Sequence, residues 1–203
     1  MEISIAKAKT LYGFELYNDD YSAHIYGYKG KEEEIVLPGK IGNYAVKVVG
    51  SMPTKRINFR EVKSITLPDG CEAISDGAFM YGEIKNVIMP DSITHIGKMA
   101  FSNCYQLERV IISRNLKTIE GFAFQWCENL LAVHVPYGIT AIDWGTFEGC
   151  NSLKFLYIPD SVKRIYDSAF VGCKNLKRVS LPETLDYIST KAFGPDTEMF
   201  FRT

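Results

Sequence analysis

IPDSVKRIYDSAFVGC, residues 158–173, returns along the chain as MPDSITHIGKMAFSNC at 89–104. The tail of the phrase recurs more often: AFSNC at 100–104, AFQWC at 123–127, TFEGC at 146–150 and AFVGC at 169–173. Six of the twelve Phe residues stand in one column, Phe79, Phe101, Phe124, Phe147, Phe170 and Phe193, spaced by 22 and then four times by 23. A fixed beat of this length marks stacked supersecondary units, each unable to bury its own apolar side.

Other columns keep the beat. Five residues before each Phe stands an Ile: Ile74, Ile96, Ile119, Ile142, Ile165 and Ile188. Upstream of these come apolar pairs of period two: Ile65-x-Leu67, Val87-x-Met89, Val110-x-Ile112, Val133-x-Val135, Leu156-x-Ile158 and Val179-x-Leu181. Three before each pair stands another apolar residue: Val62, Ile84, Leu107, Leu130, Leu153 or Leu176. Period two reads as a short strand with alternate residues buried. Pro68, Pro90, Pro136, Pro159 and Pro182 follow it, with Ser113 in that place once. Proline has no N–H for a ladder, so pairing ends there. The segment ending in Ala-Phe is too short for a long helix and reads as a helical or 3₁₀ turn opposite the strands. Stacking sets the strands ~4.8 Å apart in a parallel sheet.

The expected fold is an α/β-type solenoid of leucine-rich-repeat kind. It has a curved stack of short parallel strands on the concave face, short helical or 3₁₀ turns opposite and a β-rich N-terminal cap. Residues 1–50 read as that cap with a degenerate first repeat, 51–61 as a loop or insertion, 62–195 as repeats of about 23 residues and 196–203 as a closing strand.

The bulk properties exclude several classes. With 46% hydrophobic and 23% charged residues, the 203-residue chain has ample material for a core. A net charge of -1 gives no electrostatic case for nucleic acid. Apolar runs fall far short of the ~20 residues that span a bilayer, so no membrane insertion is expected. MEISIAKAKTLYGFELY, 1–17, lacks the basic start and apolar run of a signal peptide, which reads as cytoplasmic for a complete native chain. Five cysteines are an odd number, so a complete internal disulfide set is impossible.

Cys104, Cys127, Cys150 and Cys173 form a column, one per repeat. Their main reading is as small buried hydrophobes. Disulfides between adjacent rungs and a metal site are the competing readings, although no companion ligand accompanies any of them. His24, His95 and His134 are scattered, and no nucleophile elbow, P-loop or dinucleotide fingerprint occurs. No catalytic residue, metal ligand or cofactor is expected.

The outward positions of the strands are more informative. A solvated sheet face should be polar, yet this one carries Ile88, Ile111, Leu131, His134, Phe155 and Tyr157, with Arg109 and Arg178 beside them. Aromatic, aliphatic and Arg residues together are the composition of binding hot spots. These eight residues form the candidate partner-binding face. The expected partner is a protein, with weak self-association through the same face as a competing use.

The phrase Ile-Pro-Asp-Ser-Val-x-x-Ile-x-x-x-Ala-Phe-x-x-Cys resembles the BspA-type leucine-rich repeat of bacterial and protist surface proteins, over roughly 62–193. The resemblance implies a curved solenoid, protein or surface binding that extends to host or cell-surface ligands, and secretion or cell-surface display. It supplies no catalytic residues. The expected function is therefore a non-catalytic interaction or adhesion module. The alternative is a structural or adhesive fragment of a larger secreted surface protein. A remote alternative is a carbohydrate-active solenoid enzyme, which needs paired carboxylates ~5–9 Å apart. The outward columns hold only Glu108.

Overall fold

Residues of period two give each repeat one short strand, and hydrogen bonding between equivalent residues stacks these strands in parallel. The computed structural model describes residues 1–50 and 58–202. The N-terminal part comprises β1 (Glu2–Ile3), α1 (Ile5–Leu11), β2 (Tyr12–Tyr17), β3 (Ser22–Tyr28), β4 (Glu34–Val36), β5 (Lys40–Ile41) and β6 (Tyr44–Val49). The next three rungs hold β7 (Ser64–Thr66) and β8 (Ala73–Ile74), β9 (Asn86–Ile88) and β10 (His95–Ile96), then β11 (Arg109–Ile111) and β12 (Thr118–Ile119). Three more hold β13 (Ala132–His134) and β14 (Ala141–Ile142), β15 (Phe155–Tyr157) and β16 (Arg164–Ile165), then β17 (Arg178–Leu181) and β18 (Tyr187–Ile188). The last strand is β19 (Glu198–Phe201).

The result is a β-solenoid of about eight turns with almost no helix. One side, the strand face, carries the ladders β4-β7-β9-β11, β13-β15 and β17-β19. A lateral side carries β6-β8-β10-β12 and β14-β16-β18. Register holds the sequence columns together: Ile65 pairs with Val87, Val87 with Val110, and Val133 with Leu156.

The third side differs from the expected helical or 3₁₀ turns, and the solenoid is not of α/β type. Among the described residues α1 is the only helix. The Ala-Phe-x-x-Cys segments form chained turns that bond across rungs: the N–H of Phe101 donates to Ala123 O at 2.7 Å and that of Phe124 to Thr146 O at 2.8 Å. The reason lies in two left-handed backbone columns. Two residues before Phe, φ is +58° at Gly77, +57° at Met99, +61° at Phe122, +57° at Gly145 and +59° at Ser168. Two after it, φ is +60° at Tyr81, +61° at Asn103, +58° at Trp126, +72° at Gly149 and +78° at Gly172. A left-handed residue on each side of Phe stops any right-handed helix from propagating.

The core is a set of ladders. Rings from Phe79 to Phe193 stack in sequence with centroids 4.8–5.5 Å apart and planes within 15° of parallel. Phe101, Phe124, Phe147 and Phe170 are wholly buried. At the N-terminal end Ser4 caps α1, its hydroxyl accepting from Lys7 N–H at 3.2 Å. β3 pairs in parallel with β6 and antiparallel with β2, extending the lateral sheet, and Ile35, Leu37 and Ile41 are buried. His24 is held there with Nε2 2.9 Å from Gly50 O, and burial lowers its pKa. Of the expected loop or insertion at 51–61, residues 51–57 lie outside the described residues, as does Thr203 of the expected closing strand.

Candidate functional site

Ile88, Ile111, His134 and Tyr157 are aimed outward by the pleat, each between two core-column residues at i−1 and i+1. Ile88, Arg109, Ile111, Leu131, His134, Phe155, Tyr157 and Arg178 are all exposed. Ile88 and Ile111 are each 59% exposed and Phe155 is 71% exposed. Register sets Ile88 beside Ile111, Ala132 beside Phe155 and His134 beside Tyr157. The His134 and Tyr157 rings stack, with centroids 4.6 Å apart and planes 23° apart.

The geometry turns on a seam. Neither β11 and β13 on the strand face nor β12 and β14 on the lateral side form a ladder. The turn side stays bonded there, with Phe122 N–H donating to Trp144 O at 2.9 Å and Trp126 N–H to Glu148 O at 2.7 Å. The two rungs are therefore joined on the turn side, keep a bond on the strand face from Leu131 N–H to Glu108 O at 3.4 Å, and form no ladder on the lateral side. Val110 and Ile112, core-column residues beside the seam, are only half-buried.

A groove of about 630 Å³ opens at the seam, lined by Val110, Ile111, Ile112, Arg114, Asn115, His134, Pro136 and Tyr137. On the other side of His134 lies a second groove of about 610 Å³, lined in part by Phe155, Leu156, Tyr157, Arg178, Ser180 and Phe200. Of the eight predicted residues, His134 borders both grooves, Ile111 borders the first, and Phe155, Tyr157 and Arg178 border the second. Ile88, Arg109 and Leu131 border neither groove. A third depression, about 710 Å³, lies away from this face among charged residues such as Lys29, Lys31, Glu32 and Glu61.

Several neighbours escaped the sequence reading. Phe200 stands in register with Ser180, 20 residues on. A ruler of 23 misses it because the last rung is shorter. Arg178 lies over the Phe200 ring at 5.2 Å and pairs with Glu198 at 3.0 Å, so its charge is partly answered within the chain. Arg202 sits over the Tyr157 ring at 5.5 Å and donates to Ile158 O at 2.8 Å. A hydrogen bond with Tyr157 raises the pKa of the Tyr137 phenol. At the far rim Arg114 Nε donates to Asp91 at 2.8 Å, and that bond lowers the Asp91 pKa.

The cysteine column is free and buried. Among the described residues no group of three or more His, Cys, Asp or Glu side chains is placed to hold a metal ion.

A model of the BspA type leucine rich repeat region matches residues 56–177 and 140–197, in six copies. The chain belongs to the BspA-type leucine-rich repeat family. Solved structures of similar fold include the T. pallidum leucine rich repeat protein TpLRR, at TM-score 0.61 and 24% identity, covering 95% of this chain and 84% of that one. A leucine-rich repeat protein from Eubacterium ventriosum aligns at TM-score 0.74 and 24% identity over 96% of this BspA-type chain and 52% of its own. The pneumococcal vaccine antigen PcpA aligns at TM-score 0.55 and 15% identity, over 95% and 65% of the two chains. The chain thus spans about half the length of the Eubacterium ventriosum protein. No curated protein matches it.

Proposed function

We propose that this BspA-type chain is a non-catalytic protein-binding module and that its strand face, taken as the concave side of the solenoid, is the contact surface. One observation carries the reading: Phe155 stands 71% exposed beside the His134–Tyr157 stack and lines one groove, while His134 borders both that groove and the one at the seam. A monomeric surface rarely leaves such a patch open without a partner. An aromatic anchor lining a groove and flanked by Arg109 and Arg178 is the arrangement of a binding hot spot. The same face serves the alternative in which the chain is an adhesive part of a larger surface protein, and the likeness of fold to the pneumococcal antigen favours keeping that reading.

The test compares partner capture by the wild-type chain with capture by Phe155→Ala and Tyr157→Ala. Truncating a hot-spot aromatic costs about 2 kcal/mol or more, a loss of roughly 30-fold. Because Tyr157 also carries Arg202 on its ring, melting temperatures are measured alongside. Unchanged capture by a folded Phe155→Ala variant removes the assignment.

A further inference from the structure

Both tryptophans of the chain stand open on the turn side, away from the strand face: Trp126 is 39% and Trp144 53% exposed. A large aromatic ring gains much from burial, so two left in water call for a reason. The Trp144 ring packs on Tyr166 with centroids 4.9 Å apart, and Tyr166 packs on exposed Tyr187 at 5.8 Å. Phe122, whose ring lies over Gly145, and Trp126, whose ring lies over Gly149, carry this aromatic strip onto the preceding rung.

The charge along the strip has one sign. Residues 120–128, 143–151 and 166–173 hold Glu120, Glu128, Asp143, Glu148 and Asp167 and no Lys or Arg, although the chain as a whole is nearly balanced. Lys98, Lys174 and Lys191 mark its edges. Among the described residues none of these five carboxylates pairs with a Lys or Arg. Glu120 faces His95 Nε2 at 3.3 Å, Asp143 accepts from Trp144 N–H at 2.8 Å and Glu148 accepts from Gln125 Nε2 at 2.9 Å. Within the strip a pocket of about 280 Å³ is lined by Phe122, Trp144, Gly145, Glu148, Asp167 and Ser168. Two rings and two carboxylates therefore share one small opening.

We propose that this strip is a second interaction surface, separate from the strand face, and that it takes an arginine-bearing basic segment of a partner protein. The chemistry of the pocket selects that occupant. A guanidinium is attracted to the face of an aromatic ring, most strongly to Trp. Its edge carries donors in a fixed fork that matches a carboxylate, so one Arg can stack on Trp144 or Phe122 while it donates to Glu148 or Asp167. Lysine offers the charge without the plane and fits less well. An uncharged ligand such as a sugar would use the rings but leave the carboxylates unanswered, and an acidic one would be repelled. Further basic residues of the segment are met by Glu120, Glu128 and Asp143 along the same strip. Because the strip and Phe155 lie on different sides of the solenoid, both surfaces can be occupied at once.

The test titrates the 203-residue chain with a short Arg-Gly repeat peptide and follows heat and tryptophan emission together. Both tryptophans lie on the strip, so saturable binding should change the emission. Glu148→Gln combined with Asp167→Asn should weaken binding about tenfold, and Trp144→Leu should do the same. Both variants should keep the wild-type melting temperature, and the charge variant, which alters no packed ring, decides the matter if Trp144→Leu does not fold. Asp19→Asn combined with Glu183→Gln removes the same charge at exposed carboxylates elsewhere and should leave binding unchanged. A Lys-Gly repeat of equal charge should bind more weakly than the Arg-Gly peptide. No saturable binding, equal weakening by the two charge-matched variants, equal affinity for the Arg and Lys peptides, or saturable binding of maltohexaose in place of the peptide would each overturn the proposal.

Discussion

The Sγ of Cys127 lies 3.2 Å from the carbonyl oxygen of Phe101, one rung back. Cys104 makes the same contact with Phe79 O at 3.0 Å, Cys150 with Phe124 O at 3.3 Å and Cys173 with Phe147 O at 3.2 Å. Each Phe carbonyl thus accepts two donors. One is the N–H of the residue three on, as with Cys104 N–H to Phe101 O at 3.1 Å. The other is the thiol of the next rung. A small apolar side chain with one weak donor is what this buried position requires, and Cys supplies both.

These thiols should be silent in the folded protein. Burial pushes Cys71, Cys104 and Cys173 up to about 12, and Cys127 and Cys150 well above their usual 9.0. A disulfide-exchange reagent should therefore label all five only as fast as the chain unfolds. The same shifts set the alkaline limit of stability. Between pH 9 and about 12 the unfolded chain loses thiol protons that the folded chain keeps. The unfolded state then binds fewer protons, so stability, fully present below pH 9, falls as pH rises. Burial and neighbouring Glu32 raise the Tyr12 and Tyr28 phenols in the same direction. Thermal melts from pH 8 to 10.5 should show the decline, and Cys127→Ala should make it shallower. An identical slope in that variant removes the thiol explanation.

The Phe ladder should be energetically graded. Phe124 is wholly buried between Phe101 at 5.1 Å and Phe147 at 5.4 Å. Phe193 has one stacked neighbour, Phe170 at 4.8 Å, and is 9% exposed. Phe124→Ala should cost about 3–5 kcal/mol, as full cavity formation does. Phe193→Ala should cost about half that, because end rungs can collapse and fray. Urea unfolding of the two variants checks the ratio, and equal losses would mean that the last rung is as constrained as the middle.

What was legible in the sequence was whatever repeats. The Phe, Ile and Cys columns announced a stack, and period two announced which strand residues face out. The turn conformation was not legible, because left-handed backbone is shared by Gly77, Met99, Phe122 and Ser168, which have no side-chain property in common. A partial signal exists between rungs rather than along them. The Phe122 ring lies where a Cβ on Gly145 would sit, and the Trp126 ring covers Gly149 in the same way. Phe122 and Trp126 are each followed 23 residues later by Gly, although Tyr81 is followed in its column by Asn103. Phe200 escaped because it departs from the beat, and the seam escaped because the 23-residue beat runs through it unchanged.

The left-handed columns allow strain and steric clash to be separated. A Cβ on Gly77, at φ +58°, meets nothing within 4 Å. A Cβ on Gly145, at φ +57°, meets the Phe122 ring at 2.5 Å. Gly77→Ala should therefore cost about 1 kcal/mol of backbone strain. Gly145→Ala should cost that and displace Phe122 as well, about 2–3 kcal/mol in total. Combining Gly145→Ala with Phe122→Ala should bring the cost of the glycine substitution back to the Gly77 level. Additive losses in the double variant would exclude the contact as its cause.

One small residue stands at the seam. At neighbouring rungs a side chain at this turn position clasps the preceding rung: Asn115 Nδ2 donates to Asp91 O at 3.0 Å, Ser161 Oγ to Ile139 O at 2.9 Å and Thr184 Oγ1 to Asp160 O at 2.7 Å. Gly138 has no such side chain, and a Cβ there would stand 2.0 Å from Leu116 O. The consensus change Gly138→Ser should therefore destabilise the protein, by about 1–3 kcal/mol, where consensus changes usually help. Exchange of backbone amides provides a direct map. Lys163 and Tyr166 N–H donate across the next junction, to Thr140 O at 2.8 Å and Ile142 O at 3.0 Å. Thr140 and Asp143 hold the equivalent positions at the seam, where β12 and β14 are not paired. Their amides should exchange about tenfold faster than those of Lys163 and Tyr166. Equal protection at both junctions would mean that the ladder is closed in solution and that the groove beside His134 and Tyr137 is shallower than the structure has it.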